Sequence, residues 1–358
     1  MTRGMPCPAD TREVAPVSLL ASLLTSLLTS LLTMRQRGGR ADGRGHGLHC
    51  ATMSARELVV LGTASQVPTR YRNHNGYLLR WDDEGFLFDP GEGTQRQMIY
   101  ADVSATAVTR ICITHFHGDH CLGLAGVSQR ISLDGAPHVV HAYYPASGQV
   151  YYERLRHASI YHDVGRWEPH PIEADGEIER TPGWTLTARA LDHGVPAVGY
   201  RLQEADQRTM LPERMAALGI TGPAIRKLIA DGRIEIGGRT IEIAEVSVPR
   251  PGQAVAFVMD TRMCAAAVEL ARGADLLICE STYLAADAEK AHDHGHLTAT
   301  DAATIARDAG VRQLVLTHFS QRYPEVEPFV AEAKAIFPDV VAARDGETIP
   351  VPKRLRVG

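Results

Sequence analysis

Apolar residues recur in short runs separated by glycine-rich or polar turns. ELVVL at 57–61 reads as a buried strand ending at Gly62-Thr63. The stretches 75–80 and 85–89 follow at hairpin spacing. GEGTQRQMIY, from Gly91, reads as a turn feeding a helix, and RICIT at 110–114 is a further apolar strand. Strands are expected at about 138–142, 185–191, 197–203, 254–259, 275–279 and 313–317, with helix-like runs at 261–272 and 299–308. Strand-rich halves, each closed by helices, predict an α/β sandwich with helices outside two sheets. One segment, 204–250, breaks this alternation. It shows little apolar periodicity and reads as an excursion from the core.

Composition adds constraints of its own. The chain has 358 residues, is 44% hydrophobic and carries a net charge of −5, so no global basic field advertises a nucleic-acid partner. Within Gln203–Arg250, seven Lys/Arg balance seven Asp/Glu. The six cysteines form no C-x-x-C pair, which fits reduced thiols in a cytoplasmic protein. SLLASLLTSLLTSLLT at 18–33 is a near-perfect four-residue repeat, followed by an Arg/Gly-rich run. Serine and threonine interrupt it too often for a convincing signal peptide or membrane anchor. Residues 1–53 are therefore taken as a low-complexity extension, either disordered or upstream of a true start at Met53. The catalytic domain is expected over 54–358.

The chemistry begins in THFHGDH, at the end of the strand 110–114. His115 and His117 are alternate residues whose side chains can face one way, and Gly118 allows a sharp turn that brings in Asp119 and His120. Imidazole nitrogens and carboxylate oxygens are the normal ligands of catalytic zinc, and four donors arriving in two pairs suit two adjacent metals. Further donors stand just past other apolar runs: His193, Asp260 and His318. Asp260 could instead cap a helix from Thr261. The run HDHGH at 292–296 imitates a metal site, but no strand end supports that reading.

These motifs together resemble the metallo-β-lactamase superfamily and, within it, the ribonuclease Z family of tRNA 3′-processing endonucleases. The resemblance runs from Glu57 to about Val351 through LGTASQVPTRYRN, FDPGEGTQRQ, THFHGDH, LDHGVPAVGYR, MDTR, CEST, GHLT and LTHFSQRY. It departs from the family at Pro90, where a cysteine is usual, and at Val258-Met259, where a small-Gly pair is usual; neither is a ligand position. The resemblance implies an αββα sandwich with an inserted flexible arm at 204–250 that grips tRNA around Gly222-Pro223. It implies two Zn²⁺ per subunit. His115, His117 and His193 would hold one, Asp119, His120 and His318 the other, and Asp260 would bridge them. Asp119 would act as base, and His296 as acid with Glu280 as its partner. Ser65, Arg72, Asn73, Ser320 and Arg322 would meet phosphate. It further implies a cytoplasmic homodimer acting on precursor tRNA, with no membrane role. The alternative within the superfamily is a phosphodiesterase or sulfatase of small molecules, which would have no use for the arm.

Overall fold

The computed structural model describes residues 56–354. The repeat at 18–33 and the extension expected over 1–53 therefore lie outside the described residues, as do Cys7 and Cys50. Cys112, Cys121, Cys264 and Cys279 are free thiols.

The first half runs β1 (Glu57–Gly62), β2 (Gly76–Trp81), β3 (Glu84–Phe88), α1 (Thr94–Tyr100), β4 (Arg110–Cys112), α2 (Gly118–Cys121), α3 (Leu124–Leu133), β5 (Val139–Pro145), α4 (Gln149–Arg156) and β6 (Arg166–Ile172). The chain then crosses to β7 (Gly176–Arg180), β8 (Trp184–Leu191) and β9 (Ala197–Glu204). An excursion follows: β10 (Gln207–Met210), α5 (Pro212–Ala217), α6 (Pro223–Asp231), β11 (Arg233–Ile236), β12 (Arg239–Glu242) and β13 (Ser247–Arg250). The chain returns through β14 (Ala254–Val258), α7 (Ala265–Ala271), β15 (Leu276–Glu280), α8 (Ala288–His294), α9 (Ala299–Ala309), β16 (Leu314–Thr317), α10 (Glu327–Lys334), β17 (Val340–Ala342) and β18 (Thr348–Pro350).

Two seven-stranded sheets result, ordered β18-β1-β2-β3-β4-β5-β6 and β17-β16-β15-β14-β9-β8-β7. Period-two alternation sorts their residues into layers. Leu58, Val60, Tyr77, Leu79, Phe86 and Phe88 meet Val255, Phe257, Leu276, Ile278 and Val315 between the sheets. Phe88 stacks on Phe257 at 4.5 Å. The opposite faces lie under helices: Val59, Leu61, Leu78 and Leu87 beneath α1, α3 and α4, and Ala256, Val258, Leu277 and Leu316 beneath α7, α9 and α10. The expected αββα sandwich is therefore present. Strands buried on both faces read as continuous apolar runs, which is why β1, β14, β15 and β16 were legible.

Two expectations need correction. The excursion has a small core of its own, Ile220, Leu228, Ile234, Ile241 and Val246, although no single period in 204–250 announced one. It joins the sandwich through the antiparallel β10–β13 pair, in which Met210 faces Ser247. The helix expected from Thr261 begins only at Ala265, with Cys264 as its N-cap, so Asp260 is not a cap.

Candidate active site

Parallel pairing aligns the C-terminal ends of β3 and β4 in one sheet and of β14, β15 and β16 in the other. Asp89, the 114–120 loop, Asp260, Glu280 and His318 leave those ends, and His193 comes from the β8–β9 loop. The first pair is not on a strand, as the alternation argument assumed. β4 stops at Cys112, and His115 and His117 sit in a loop tied down by Asp89. Asp89 Oδ1 accepts from Thr114 N at 2.7 Å and Oδ2 from Thr114 Oγ1 at 2.8 Å.

Seven side chains converge. His117 Nδ1 lies 2.9 Å from His115 Nε2 and 3.3 Å from His193 Nε2. Asp260 Oδ2 stands 3.6 Å from His115 Nε2 and 3.7 Å from His193 Nε2. On the other side, Asp119 Oδ2 lies 3.4 Å from His120 Nε2 and 3.5 Å from His318 Nε2. Asp260 reaches these two rings as well, at 3.4 Å through Oδ2 and 3.2 Å through Oδ1. Donors bound at about 2.1 Å around a tetrahedral ion stand roughly 3.4 Å apart. The separations match two such groups sharing Asp260. Asp260 Oδ1 and His318 Nε2 are buried without a hydrogen-bond partner, a defect that a cation would remove. The residues therefore fit bound metal.

Neighbouring groups assign the tautomers. His120 Nδ1 donates to Asp89 Oδ2 at 2.8 Å, and His193 Nδ1 to Gly295 O at 2.9 Å. Thr114 Oγ1 and Thr282 Oγ1 spend their protons on Asp89 and Glu280, so they accept from His115 Nδ1 (3.0 Å) and His318 Nδ1 (2.7 Å). All four rings thus aim an Nε2 lone pair inward, as metal-binding imidazoles do. Gly295 is needed twice: its φ is +75°, and an added Cβ would lie 2.9 Å from His193 Nδ1. Asp89, Asp260 and His318 hold positive φ values of 44°, 25° and 61°. Such strain persists in functional sites where surrounding structure over-determines it.

Charge follows the same geometry. Burial would favour the neutral form of His120, but Asp260, Asp119 and Asp89 raise its proton affinity well above that of an ordinary histidine. Burial and the neighbouring His120 push His115 the other way. Burial would raise Asp119 and Asp260, yet the surrounding imidazoles hold both below the usual carboxylate range.

Beside this cluster, His296 Nδ1 lies 3.1 Å from Glu280 Oε1. Burial opposes a charge on His296, while Glu280 and Asp260 raise its pKa to about 9. A cleft of about 360 Å³ opens onto Asp119, His193, Asp260, His296 and His318, with Ser65, Ser320 and Arg322 in its wall. Arg72 and Asn73 have another task. Arg72 donates to Tyr323 O and Pro324 O at 2.8 and 2.9 Å, and Asn73 Nδ2 to Glu92 O at 2.8 Å, so both staple loops rather than line the cleft. Gly222 and Pro223 are also absent from the cleft wall and open α6 in the excursion. Sequence reasoning missed Thr282, Tyr283 and His294. His294 Nδ1 meets Tyr283 Oη at 2.7 Å, and both line the cleft. Asp89, Thr114 and Thr282 carried only one signal, their place at strand ends.

The Metallo-beta-lactamase superfamily model matches residues 69–255, and a Beta-lactamase superfamily domain model matches 215–319. A more specific likeness spans the catalytic region. The chain is 59% identical over 304 residues to ribonuclease Z of Streptomyces coelicolor, covering 84% of this chain and 100% of that one. The chain belongs to the ribonuclease Z family. Ribonuclease Z of Salinispora arenicola is 56% identical over 303 residues, covering 84% of this chain and 98% of the relative. Among solved structures, the short form of human tRNase Z superposes with a TM-score of 0.61 at 27% identity, covering 83% of this chain and 100% of that one. As a member of this family, the chain is a hydrolytic endoribonuclease with a metallo-β-lactamase fold.

Proposed function

We propose that this chain removes the 3′ trailer from precursor tRNA, cutting after the discriminator nucleotide. The products would be a 3′-hydroxyl on the tRNA and a 5′-phosphate on the trailer. The observation that carries this reading is the likeness over the full length of relatives named ribonuclease Z.

His115, His117, His193 and Asp260 would hold one Zn²⁺, and Asp119, His120, His318 and Asp260 the second. Bound there, the ions would supply Lewis acidity toward a phosphodiester and ease deprotonation of water. Asp119 meets its neighbours through Oδ2, leaving Oδ1 to take the proton of the attacking water. His296, kept charged by Glu280, donates a proton to the leaving ribose oxygen, which is a poor leaving group without one. Glu280 also accepts from Thr261 N and Thr282 Oγ1, so it orients the acid and buttresses His318 in one network. Ser65, Ser320 and Arg322 would meet the scissile phosphate, Arg322 by its planar fork. The excursion at 204–250, with Gly222-Pro223 at the start of α6, would grip tRNA away from the cleft. Its neutral charge limits that grip to a few phosphate contacts, with Arg226, Lys227 and Arg233 as donors. A cytoplasmic homodimer completes the reading.

Trimming the arm tests it. Because Met210 faces Ser247, a two-residue Asn-Gly turn can replace 211–246 and close the ladder. The apolar cluster lost with the arm is nearly all its own, so the sandwich keeps its core. Cleavage of a 3′-extended precursor tRNA should collapse while hydrolysis of bis(p-nitrophenyl) phosphate survives. A trimmed protein that cuts tRNA as well as the parent would remove the arm from the account. A parent that hydrolyses only the diester would favour a small-molecule phosphodiesterase.

A further inference from the structure

We propose that the edge of the first sheet carries a separate site for a divalent transition-metal ion, built by His141, Glu168 and His170. This inference does not depend on the reaction assigned to the cleft, and none of the three residues lines that cleft. β5 and β6 pair in parallel with His141 opposite Glu168 and Tyr143 opposite His170. The two-residue alternation puts all four side chains on one face. Tyr143 belongs to the core between the sheets, which identifies it as the inner face at its open margin.

The three side chains come within reach of a shared cation. His141 Nδ1 and His170 Nε2 stand 2.9 Å apart, which a ring-to-ring hydrogen bond alone could explain. Glu168 is the third donor. It straddles the pair, with Oε2 3.7 Å from His141 Nδ1 and Oε1 3.7 Å from His170 Nε2, beyond hydrogen-bonding reach of either. His141 Nδ1, His170 Nε2 and a Glu168 oxygen all lie within 4.8 Å of one another, close enough for three donors to share one ion once the two rings turn from each other toward it.

Neighbouring groups support the rings. His170 stacks on Tyr143 at 4.7 Å and 10°, and meets His141 edge to edge with the ring centres 5.2 Å apart. Tyr143 Oη donates to Glu179 Oε2 at 2.6 Å, and Glu179 is in turn fixed by Arg110. Pro169 and Pro171 flank His170 and stiffen the edge strand, where a missing N–H is tolerated. A shallow pocket beside His170, bounded by Tyr143, Ile172, Glu173 and Ile178, has room for water to complete the coordination. Two imidazoles and one carboxylate suit Zn²⁺, Co²⁺ or Ni²⁺ and disfavour Mg²⁺ and Ca²⁺, which prefer oxygen. A bound ion would clamp the edge strand β6 to β5 and restrain an otherwise open sheet edge.

Tag-free full-length protein should be dialysed against zinc buffered near micromolar, and its metal content measured beside His170→Gln and Glu168→Gln. The parent should hold one more equivalent per chain than His170→Gln, while precursor-tRNA cleavage by that variant is unchanged. Glu168→Gln changes a half-exposed side chain, so it folds normally and should show reduced occupancy. Crystals of the zinc-loaded parent should give an anomalous peak between His141 Nδ1, His170 Nε2 and the Glu168 carboxylate. Equal metal content in all three proteins, with no peak at the sheet edge, would overturn the proposal. So would a His170→Gln protein that loses metal only together with cleavage.

Discussion

Glu280→Gln removes one buried charge while preserving the shape of the side chain. In the parent, Glu280 Oε1 accepts from Thr261 N at 2.8 Å and faces His296 Nδ1 at 3.1 Å. Burial works against a charged His296, and Glu280 is the strongest influence reversing it, lifting the pKa to about 9. One pKa unit is worth roughly 1.4 kcal/mol, so the rise over an ordinary histidine stands for about 3 kcal/mol. Without Glu280 the imidazole loses the largest influence opposing burial, so its pKa falls back toward or below that of an ordinary histidine. A raised pKa keeps the acid protonated below it and loses it as pH climbs through it. At pH ~8 the parent is about nine-tenths protonated whereas the variant is mostly neutral, a loss of cleavage on the order of tenfold or more. Toward pH ~6 the variant regains its proton and the gap narrows. Single-turnover cleavage of precursor tRNA across this range measures the effect. Bis(p-nitrophenyl) phosphate, whose leaving group needs no proton, should be largely spared. A loss that is uniform in pH, or equal on both substrates, would refute an acid role. Glu280 would then act chiefly through Thr282 on His318.

Other residues make distinct predictions. Asp89→Ala removes the acceptor that fixes the His120 and Thr114 orientations, so metal affinity should fall by about 10- to 100-fold, read by titration with a chromophoric chelator. Glu179→Ala takes one of two carboxylate partners from the buried Arg110, which keeps Glu84, and leaves the Tyr143 hydroxyl without its acceptor, and should cost about 2 kcal/mol in urea unfolding. Burial would raise the Glu179 pKa, but Arg110 and Tyr143 hold it below the ordinary value, so its contribution is present at neutral pH and disappears as pH falls through the folded-state pKa. Arg72→Ala should lower the melting temperature by loosening the Tyr323–Pro324 loop, yet leave the salt dependence of tRNA binding unchanged, because its donors already serve carbonyls.

The seven side chains that converge were legible because they follow apolar runs, and parallel pairing brings the ends of such runs together. The route was partly different from the one assumed. His115 and His117 meet through a loop beyond β4 and use different ring nitrogens, Nε2 and Nδ1, so strand alternation is not what aligns them. Asp89 and Thr282 could not be assigned roles from sequence, since their partners depend on long-range pairing: Asp89 reaches His120, 31 residues on. β6 was missed because WEPHPI carries two prolines and no alternation of apolar residues. β17 and β18, three residues each, are too short to register a period. The arm hid its core by dividing it among a helix, a hairpin and the turns beside them, with Leu228 on α6, Ile234 and Ile241 across β11–β12, and Ile220 and Val246 outside both. Arg72 illustrates the opposite error. An arginine in a promising motif was read as a phosphate ligand, whereas the fold gives its guanidinium backbone carbonyls.

The most direct test is to incubate zinc-loaded protein with a precursor tRNA carrying a 3′ trailer and to identify both new ends. A single cut after the discriminator nucleotide is predicted, leaving a 3′-hydroxyl on the tRNA, abolished by chelation and restored by zinc. Absent or scattered cuts, from a preparation that still hydrolyses a small phosphodiester, would contradict it.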